Sequence, residues 1–275
     1  SDRQLNLPRG GGGGGGDPRS PSAGFIAPYG LGGPVNNYSM AATRHMHDFG
    51  TTSEQLAEIA VSTRKWAALN PNATMRDLIS VDDVINSPMI SYPLHLLDCC
   101  LVTDAGGAVI ITSAERAKSL KKPPIWILGA GEHFTHSGIA SMPDITVTPA
   151  KQSGEAAFKM AGLKPDDIDV AVFYDSFTIT ALLQLEDLGF CKKGEGGSFV
   201  QGGRTAPGGE FPMNTSGGGL SYTHPGMYGI FILIEVARQL RGECGERQVA
   251  GAEIGIANGV GGLLSSSATI ILGRD

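Results

Sequence analysis

The chain lacks what would mark a membrane protein, a nucleic-acid binder or a disulfide-stapled domain. Across its 275 residues no eighteen apolar residues run together without a charge, so a membrane-spanning helix is not expected. The opening Ser1-Asp2-Arg3-Gln4 is polar and has none of the apolar core of a signal peptide. Basic residues are in deficit, 21 Lys and Arg against 27 Asp and Glu, for a net charge of -6 and a pI near 5.5. No basic patch interleaved with aromatics occurs, which argues against a nucleic-acid partner. Cysteine is scarce: Cys99, Cys100, Cys191 and Cys244. An adjacent pair followed by two isolated residues fits neither a zinc spacing nor a disulfide framework, so neither a metal nor a bound cofactor is expected. A cytoplasmic location follows as the expectation.

What the chain has is apolar content and glycine. At 41% hydrophobic it can bury a large core, in one big or two medium domains. Seven of its 40 glycines stand together at residues 10–16. Residues 1–23 around them are low in complexity and read as a flexible leader or loop. Residues 37–49 fit a helix stopped by Gly50. Thr51-Thr52-Ser53-Glu54 supplies a cap for a second helix to residue 69, with Leu56, Ile59, Ala60 and Trp66 along one side. Ser80-Val81-Asp82-Asp83 caps another. The run GGAVIITS at residues 106–113 reads as a buried strand, and Pro123-Pro124 as a boundary between halves.

Beyond that boundary strands and helices alternate. Residues 125–128 and 168–173 read as strands, and residues 152–161 and 179–188 as helices. Two last strands, at 248–256 and 266–272, are joined by a turn Asn258-Gly259-Val260-Gly261-Gly262. This pattern predicts an α/β layered sheet covered by helices.

The most informative stretch is FPMNTSGGGLSYTHPGMYG, residues 211–229. Three successive glycines let backbone approach a ligand or a neighbour closely. Tyr222 and His224 follow, then Pro225 and an almost wholly apolar segment to Leu240, read as a buried helix with Pro225 in its first turn. On the residues alone His224 could equally be a cap and Asn258 a turn residue, while a hydrogen-bonded strand end is the less favoured reading of Tyr174-Asp175. His45, His47, His133, His136, Asp98 and Asp104 read as structural or surface groups.

Tyr174-Asp175-Ser176-Phe177, residues 214–229 with His224-Pro225-Gly226, and the glycine-rich turn at 258–262 resemble the three C-terminal loops of the thiolase superfamily. The branch they most resemble is that of sterol-carrier-protein thiolases and the lipid-transfer-protein aldolases of steroid breakdown. HMHDFGTTSEQLAEIA and LLDCCLVTDAGGAVIITSAERA are similar to the loop region and last strands of that branch's N-terminal half. The resemblance implies a thiolase-like layered αβαβα fold. Its C-terminal half, residues 123–275, is complete, whereas the N-terminal half, residues 24–122, lacks its opening strands and helices. It also implies dimerisation of the thiolase type, a small OB-fold and zinc-ribbon partner, and possible completion by a separate chain carrying the missing segment.

For chemistry, the resemblance implies carbon–carbon bond cleavage through a thioester enolate, by retro-aldol reaction of a β-hydroxyacyl-CoA of the steroid side-chain kind. True thiolases place a proton-shuttling cysteine in the last glycine-rich turn. Here that turn presents Asn258, which cannot exchange a proton. Tyr174 and Tyr222 are then expected to share the acid–base work and His224 with Asn258 to polarise the thioester, while Asp175, Gly218, Gly219 and Gly261 line the substrate. Two alternatives stay open: an acyltransferase whose nucleophilic cysteine lies on another segment, and a non-catalytic acyl-CoA or lipid-binding scaffold.

Overall fold

The computed structural model describes residues 33–274; the expected leader at 1–23 lies outside them. Helix α1 (Pro34–Phe49) begins with a proline at its first position and ends on Gly50, whose left-handed φ of 74° turns the chain. Helix α2 (Ser53–Ala68) starts at a reciprocal capping box between Thr52 and Gln55 and buries Leu56, Ile59, Ala60 and Trp66. Ser80 and Asp83 cap the short α3 (Val81–Ile85) in the same way. A small hairpin follows, β1 (Met89–Ser91) with β2 (Leu94–His95).

Residues 106–113 do not form the expected buried strand. They have no regular structure, and Ile110 and Ile111 are 90% and 74% exposed. A central strand is stable only when neighbours satisfy both edges of its backbone, and no described strand lies beside this one. After the single turn α4 (Ala114–Ala117), the C-terminal unit begins.

That unit is built on one four-stranded sheet ordered β3-β6-β5-β4, from β3 (Trp126–Phe134), β4 (Val170–Phe173), β5 (Ile254–Gly261) and β6 (Ser266–Gly273). Strands β4 and β5 are parallel; the other pairs are antiparallel. Residues 212–214 extend the sheet beyond β4: Ala171 N–H donates to the Pro212 carbonyl at 3.1 Å, and Asn214 N–H donates to the Ala171 carbonyl at 2.9 Å. The focal stretch is therefore anchored to the sheet at its start.

Both faces of the sheet are covered, which explains why β4 reads VAVF with every residue buried. On one face Val170, Val172, Ala257 and Leu272 pack with Tyr228, Phe231, Ile232 and Val236, most of them from α8 (Gly229–Leu240). On the other, Ala171, Phe173, Ile256 and Ile271 join a larger core with α5 (Ala150–Ala161) and α6 (Thr178–Asp187), continuous with α1 and α2. A short α7 (Gly196–Val200) leads back toward the focal stretch.

Three sequence expectations shift here. Helix α8 begins at Gly229, because Gly226 takes a left-handed φ of 82° and breaks the path, so Pro225 lies outside the helix. Asn258 is not in a turn: it sits within β5, in register with Phe173 on one side and Thr269 on the other, and the hairpin turns at residues 262–265. The last strand pair also starts later than expected, at Ile254, since residues 245–247 form a 3-10 turn and Gly251 is left-handed.

Candidate active site

The site forms where β4 ends. Tyr174 N–H donates to the Asn258 carbonyl at 3.0 Å, the last ladder bond between β4 and β5, and the chain then turns through Asp175 and Ser176 into α6. Beside it the focal stretch leaves the sheet edge. Asn214, at a left-handed φ of 52°, accepts the Phe173 N–H on Oδ1 at 2.7 Å. Gly217 and Gly218 are left-handed as well, at φ 100° and 58°, and a π turn runs over Gly218–Tyr222.

The glycines answer a packing need. A Cβ on Gly218 would collide with the Asp175 carboxylate, and one on Gly219 would lie 2.9 Å from the His224 ring. Asp175 is fully buried, and its Oδ1 accepts the Gly219 N–H at 2.6 Å. Burial raises its carboxyl to about 7 against the opposing pull of the Gly219 and Leu220 N–H groups and the nearby Asn214 amide. Asp175 is thus a buried anchor for the glycine turn rather than an exposed wall of a binding site.

His224 is half-buried. Its backbone N–H donates to Thr103 Oγ1 at 2.8 Å, and that hydroxyl also pairs with Thr223 Oγ1 at 2.7 Å. Its Nε2 is buried and makes no hydrogen bond. Burial lowers the imidazole pKa, which favours the neutral ring. The edge-to-face contact with Tyr174 places the ring centroids 5.3 Å apart at 88°. Burial pushes the Tyr174 phenol up to about 12, with the Cys100 thiol and Tyr38 phenol adding to the shift. Its hydroxyl donates to the Gly226 carbonyl at 3.3 Å. Gly226 and Met227 above it are exposed, Met227 by 84%, so this side opens to solvent.

Tyr228, which the sequence reading passed over, completes the cluster. It is fully buried, stacks on His224 at 5.9 Å and 26°, and meets Tyr174 edge-on at 5.6 Å. The one signal for it was a hydroxyl-bearing ring at the mouth of an otherwise apolar helix, four residues after His224. Tyr222 stands apart. It meets Phe231 edge-on at 6.1 Å, and among the described residues it has no ring contact with Tyr174 or His224. Its carbonyl is held by the Thr74 N–H and hydroxyl at 3.1 and 2.7 Å.

Asn258 is fully buried. Its Oδ1 accepts hydroxyls from Ser267 and Thr269 at 2.9 and 2.7 Å, and its Nδ2 donates to Gln184 Oε1 at 2.7 Å. Gln184 in turn donates to the Tyr174 carbonyl at 2.8 Å. The amide therefore braces the strand end that carries Tyr174. Gly261 pairs with Ser266 at the far end of β5, three residues beyond Asn258 and about 10 Å along the strand.

Residues 100–103 strap the site: Cys100 N–H donates to the Ser176 carbonyl and Leu101 N–H to the Gly219 carbonyl, both at 2.9 Å. Cys100 is close enough to Tyr174 and Asp175 to act on them electrostatically. Yet burial pushes all four thiols, Cys99, Cys100, Cys191 and Cys244, up to about 12, and none is a ready thiolate. Among the described residues no group of His, Cys, Asp and Glu could hold a metal ion, and no helix is long and apolar enough to cross a membrane. Two surface grooves, of about 550 Å³ beside α1 and about 650 Å³ beside α5, include none of the Tyr174, His224 and Tyr228 cluster in their walls.

Comparison with known proteins shows the family. A family model described as thiolase C-terminal domain-like matches residues 131–274. The chain is 41% identical over 239 residues to an acetyl-CoA acetyltransferase of Methanothermobacter thermautotrophicus, covering 86% of this chain and 62% of that protein. It is 40% identical to the 17-hydroxy-3-oxo-4-pregnene-20-carboxyl-CoA lyase of Mycobacterium tuberculosis, covering 83% and 60%. Among solved structures, an Ltp2-ChsH2(DUF35) aldolase superposes with a TM-score of 0.86 at 35% identity, over 92% of this chain and 67% of that one. The chain spans about three-fifths of the length of these two curated relatives.

Proposed function

From the premise that the chain belongs to the thiolase superfamily, we propose that it is the proton-handling part of an acyl-CoA carbon–carbon lyase. The reaction is retro-aldol cleavage of a β-hydroxyacyl-CoA, with a steroid side-chain thioester as the substrate class. One observation carries the reading: an unpartnered, buried Nε2 of His224 lies beside a Tyr174 phenol that burial keeps protonated.

In such a cleavage a base removes the β-hydroxyl proton. The C–O bond becomes a carbonyl as the Cα–Cβ bond breaks, and the electron pair passes to Cα as a thioester enolate. A proton delivered to Cα then completes the shorter acyl-CoA. His224, with its Nε2 buried and unpartnered, is assigned to the thioester oxygen where negative charge gathers, a role it fills when that nitrogen carries a proton. Tyr174, up near 12, is an acid at neutral pH and suits proton delivery to Cα. Tyr222 is assigned the β-hydroxyl proton. Asn258 and Asp175 act one step back, bracing the Tyr174 strand end and the glycine turn.

The compound named for the lyase relative carries its 17-hydroxyl β to the thioester carbonyl and so fits this chemistry. The acetyltransferase relative favours a second reading, acyl transfer. That reaction needs a thiolate; with all four thiols here pushed up to about 12, its nucleophilic cysteine would lie on another segment. Incubation with 17-hydroxy-3-oxo-4-pregnene-20-carboxyl-CoA, read by mass spectrometry for a 17-ketone and a three-carbon acyl-CoA, separates the two. Thiolysis of acetoacetyl-CoA with an iodoacetamide-sensitive cysteine, and no ketone release, would replace the lyase reading.

The remaining assignments belong to the same proposal. Residues 24–122 form part of an N-terminal half whose strand partners come from another polypeptide segment, consistent with the bare Ile110 and Ile111, and residues 123–275 form the C-terminal half. A thiolase-like dimer binds an OB-fold and zinc-ribbon protein. The solved aldolase neighbour is itself named for two components. The setting is cytoplasmic.

A further inference from the structure

Glu235 of α8 and Arg247 form an ion pair in which each side chain is 4% exposed. Arg247 donates to Oε2 at 2.9 Å and to Oε1 at 3.2 Å. A buried ion pair is weak support for stability, because desolvation of both charges opposes their attraction; its remaining bonds say what it holds. Glu235 Oε1 also accepts the Thr215 hydroxyl at 2.7 Å and Gln239 Nε2 at 3.3 Å, while Arg247 Nη1 donates to the Cys244 carbonyl at 3.1 Å.

Thr215 is fully buried at the start of the glycine turn. The next residue, Ser216, meets the Tyr228 hydroxyl at 3.4 Å and accepts the Gly218 N–H at 3.4 Å. Tyr228 is the ring stacked on His224. The pair therefore holds the start of the turn through the hydrogen bond at Thr215.

We infer that Glu235, fixed by Arg247, is a positioning residue: by holding Thr215 it sets Ser216 and Tyr228, and through them the plane of the His224 imidazole. The inference rests on the proposed role of His224 at the thioester oxygen. A donor rotated out of that direction still binds substrate but stabilises the enolate less well.

The test uses Thr215→Val, which removes the hydroxyl and leaves the ion pair in place, and Thr215→Ser, which keeps it. Thr215→Ala, a smaller change, serves if the valine variant does not fold. Two readouts are taken on the chain with whatever partner co-purifies: kcat and KM for 17-hydroxy-3-oxo-4-pregnene-20-carboxyl-CoA, and the His224 signals in 15N-imidazole NMR spectra, assigned by their loss in His224→Gln. Thr215→Val should lower kcat about tenfold with KM within about twofold and shift the His224 resonances and their titration point. Thr215→Ser should restore both. If Thr215→Val lowers only the thermal midpoint, with kcat and the His224 signals as in the parent, the pair is merely structural and the inference is wrong. If the parent cleaves no thioester at all, the lyase reading falls, and the NMR comparison still decides the positioning claim.

Discussion

Tyr174 meets His224 edge to face, 5.3 Å between centroids and 88° between planes. The two come from segments 50 residues apart, one at the end of β4 and one after the π turn, and the glycine turn lets them meet. This contact joins a phenol that stays protonated to an imidazole whose Nε2 is free.

Removing the Tyr174 hydroxyl should abolish proton delivery and little else. Tyr174→Phe keeps the edge-to-face packing and loses the bond to the Gly226 carbonyl together with the contact to the Tyr228 backbone. Steady-state assays should show kcat down by about 10²-fold or more, the usual weight of a general acid, with thioester affinity by calorimetry nearly unchanged. Tyr222→Phe should give a comparable loss if the second phenol is the base. Turnover within about threefold of the parent in that variant would transfer the base role to another group.

His224→Ala should cost about 10² to 10³ in kcat, as loss of one oxyanion donor does. Because Nε2 has no protein partner, the variant leaves no bonded neighbour stranded at that atom, and its melting temperature should fall far less than its rate. A large drop in stability with unchanged kcat per folded molecule would mark His224 as packing.

Asp175 gives a pH test of the glycine turn. Its folded carboxyl lies at about 7, above the ordinary 3.8, so the folded state holds the proton more tightly than the unfolded chain does. Its favourable contribution is complete below the unfolded value, diminishes as pH rises toward about 7 and is gone above it. Asp175→Asn stays neutral and can still accept the Gly219 N–H. Thermal midpoints of variant minus parent should therefore rise between pH 4 and pH 7, a window set by the two values. A difference that does not change with pH would show that Asp175 does not hold a proton through that range.

Much of the fold was legible because local signals agreed with it. The caps at Thr52 and Ser80, the stop at Gly50 and the apolar β4 all announced their elements, and the likeness to thiolases was borne out by the family match over residues 131–274. Asn258 misled because an Asn before glycines reads as a turn, whereas its amide is consumed by Gln184, Ser267 and Thr269 inside a strand, contacts that sequence spacing does not reveal. Tyr228 was missed for a similar reason. Its ring matters through stacking on His224, a relation fixed by the left-handed Gly226 and not by residue type. The strand expected at residues 106–113 failed because β pattern alone does not supply a partner.

That bare segment carries the last prediction. Ala108, Val109, Ile110 and Ile111 read as a strand, yet Ile110 and Ile111 project 90% and 74% into solvent, and the segment runs back through Thr103 to the His224 N–H. Exposed β-branched residues on unpaired backbone attract another strand, wanted or not. If partner strands from another segment cover it, Ile110→Asp should block their association, measured by co-purification and light scattering, while the C-terminal sheet keeps its circular dichroism. Loss of the partner should then lower kcat too, since Thr103 fixes the His224 backbone from the same segment. Equal recovery of every associated polypeptide with parent and variant would show that this surface is not where completion occurs.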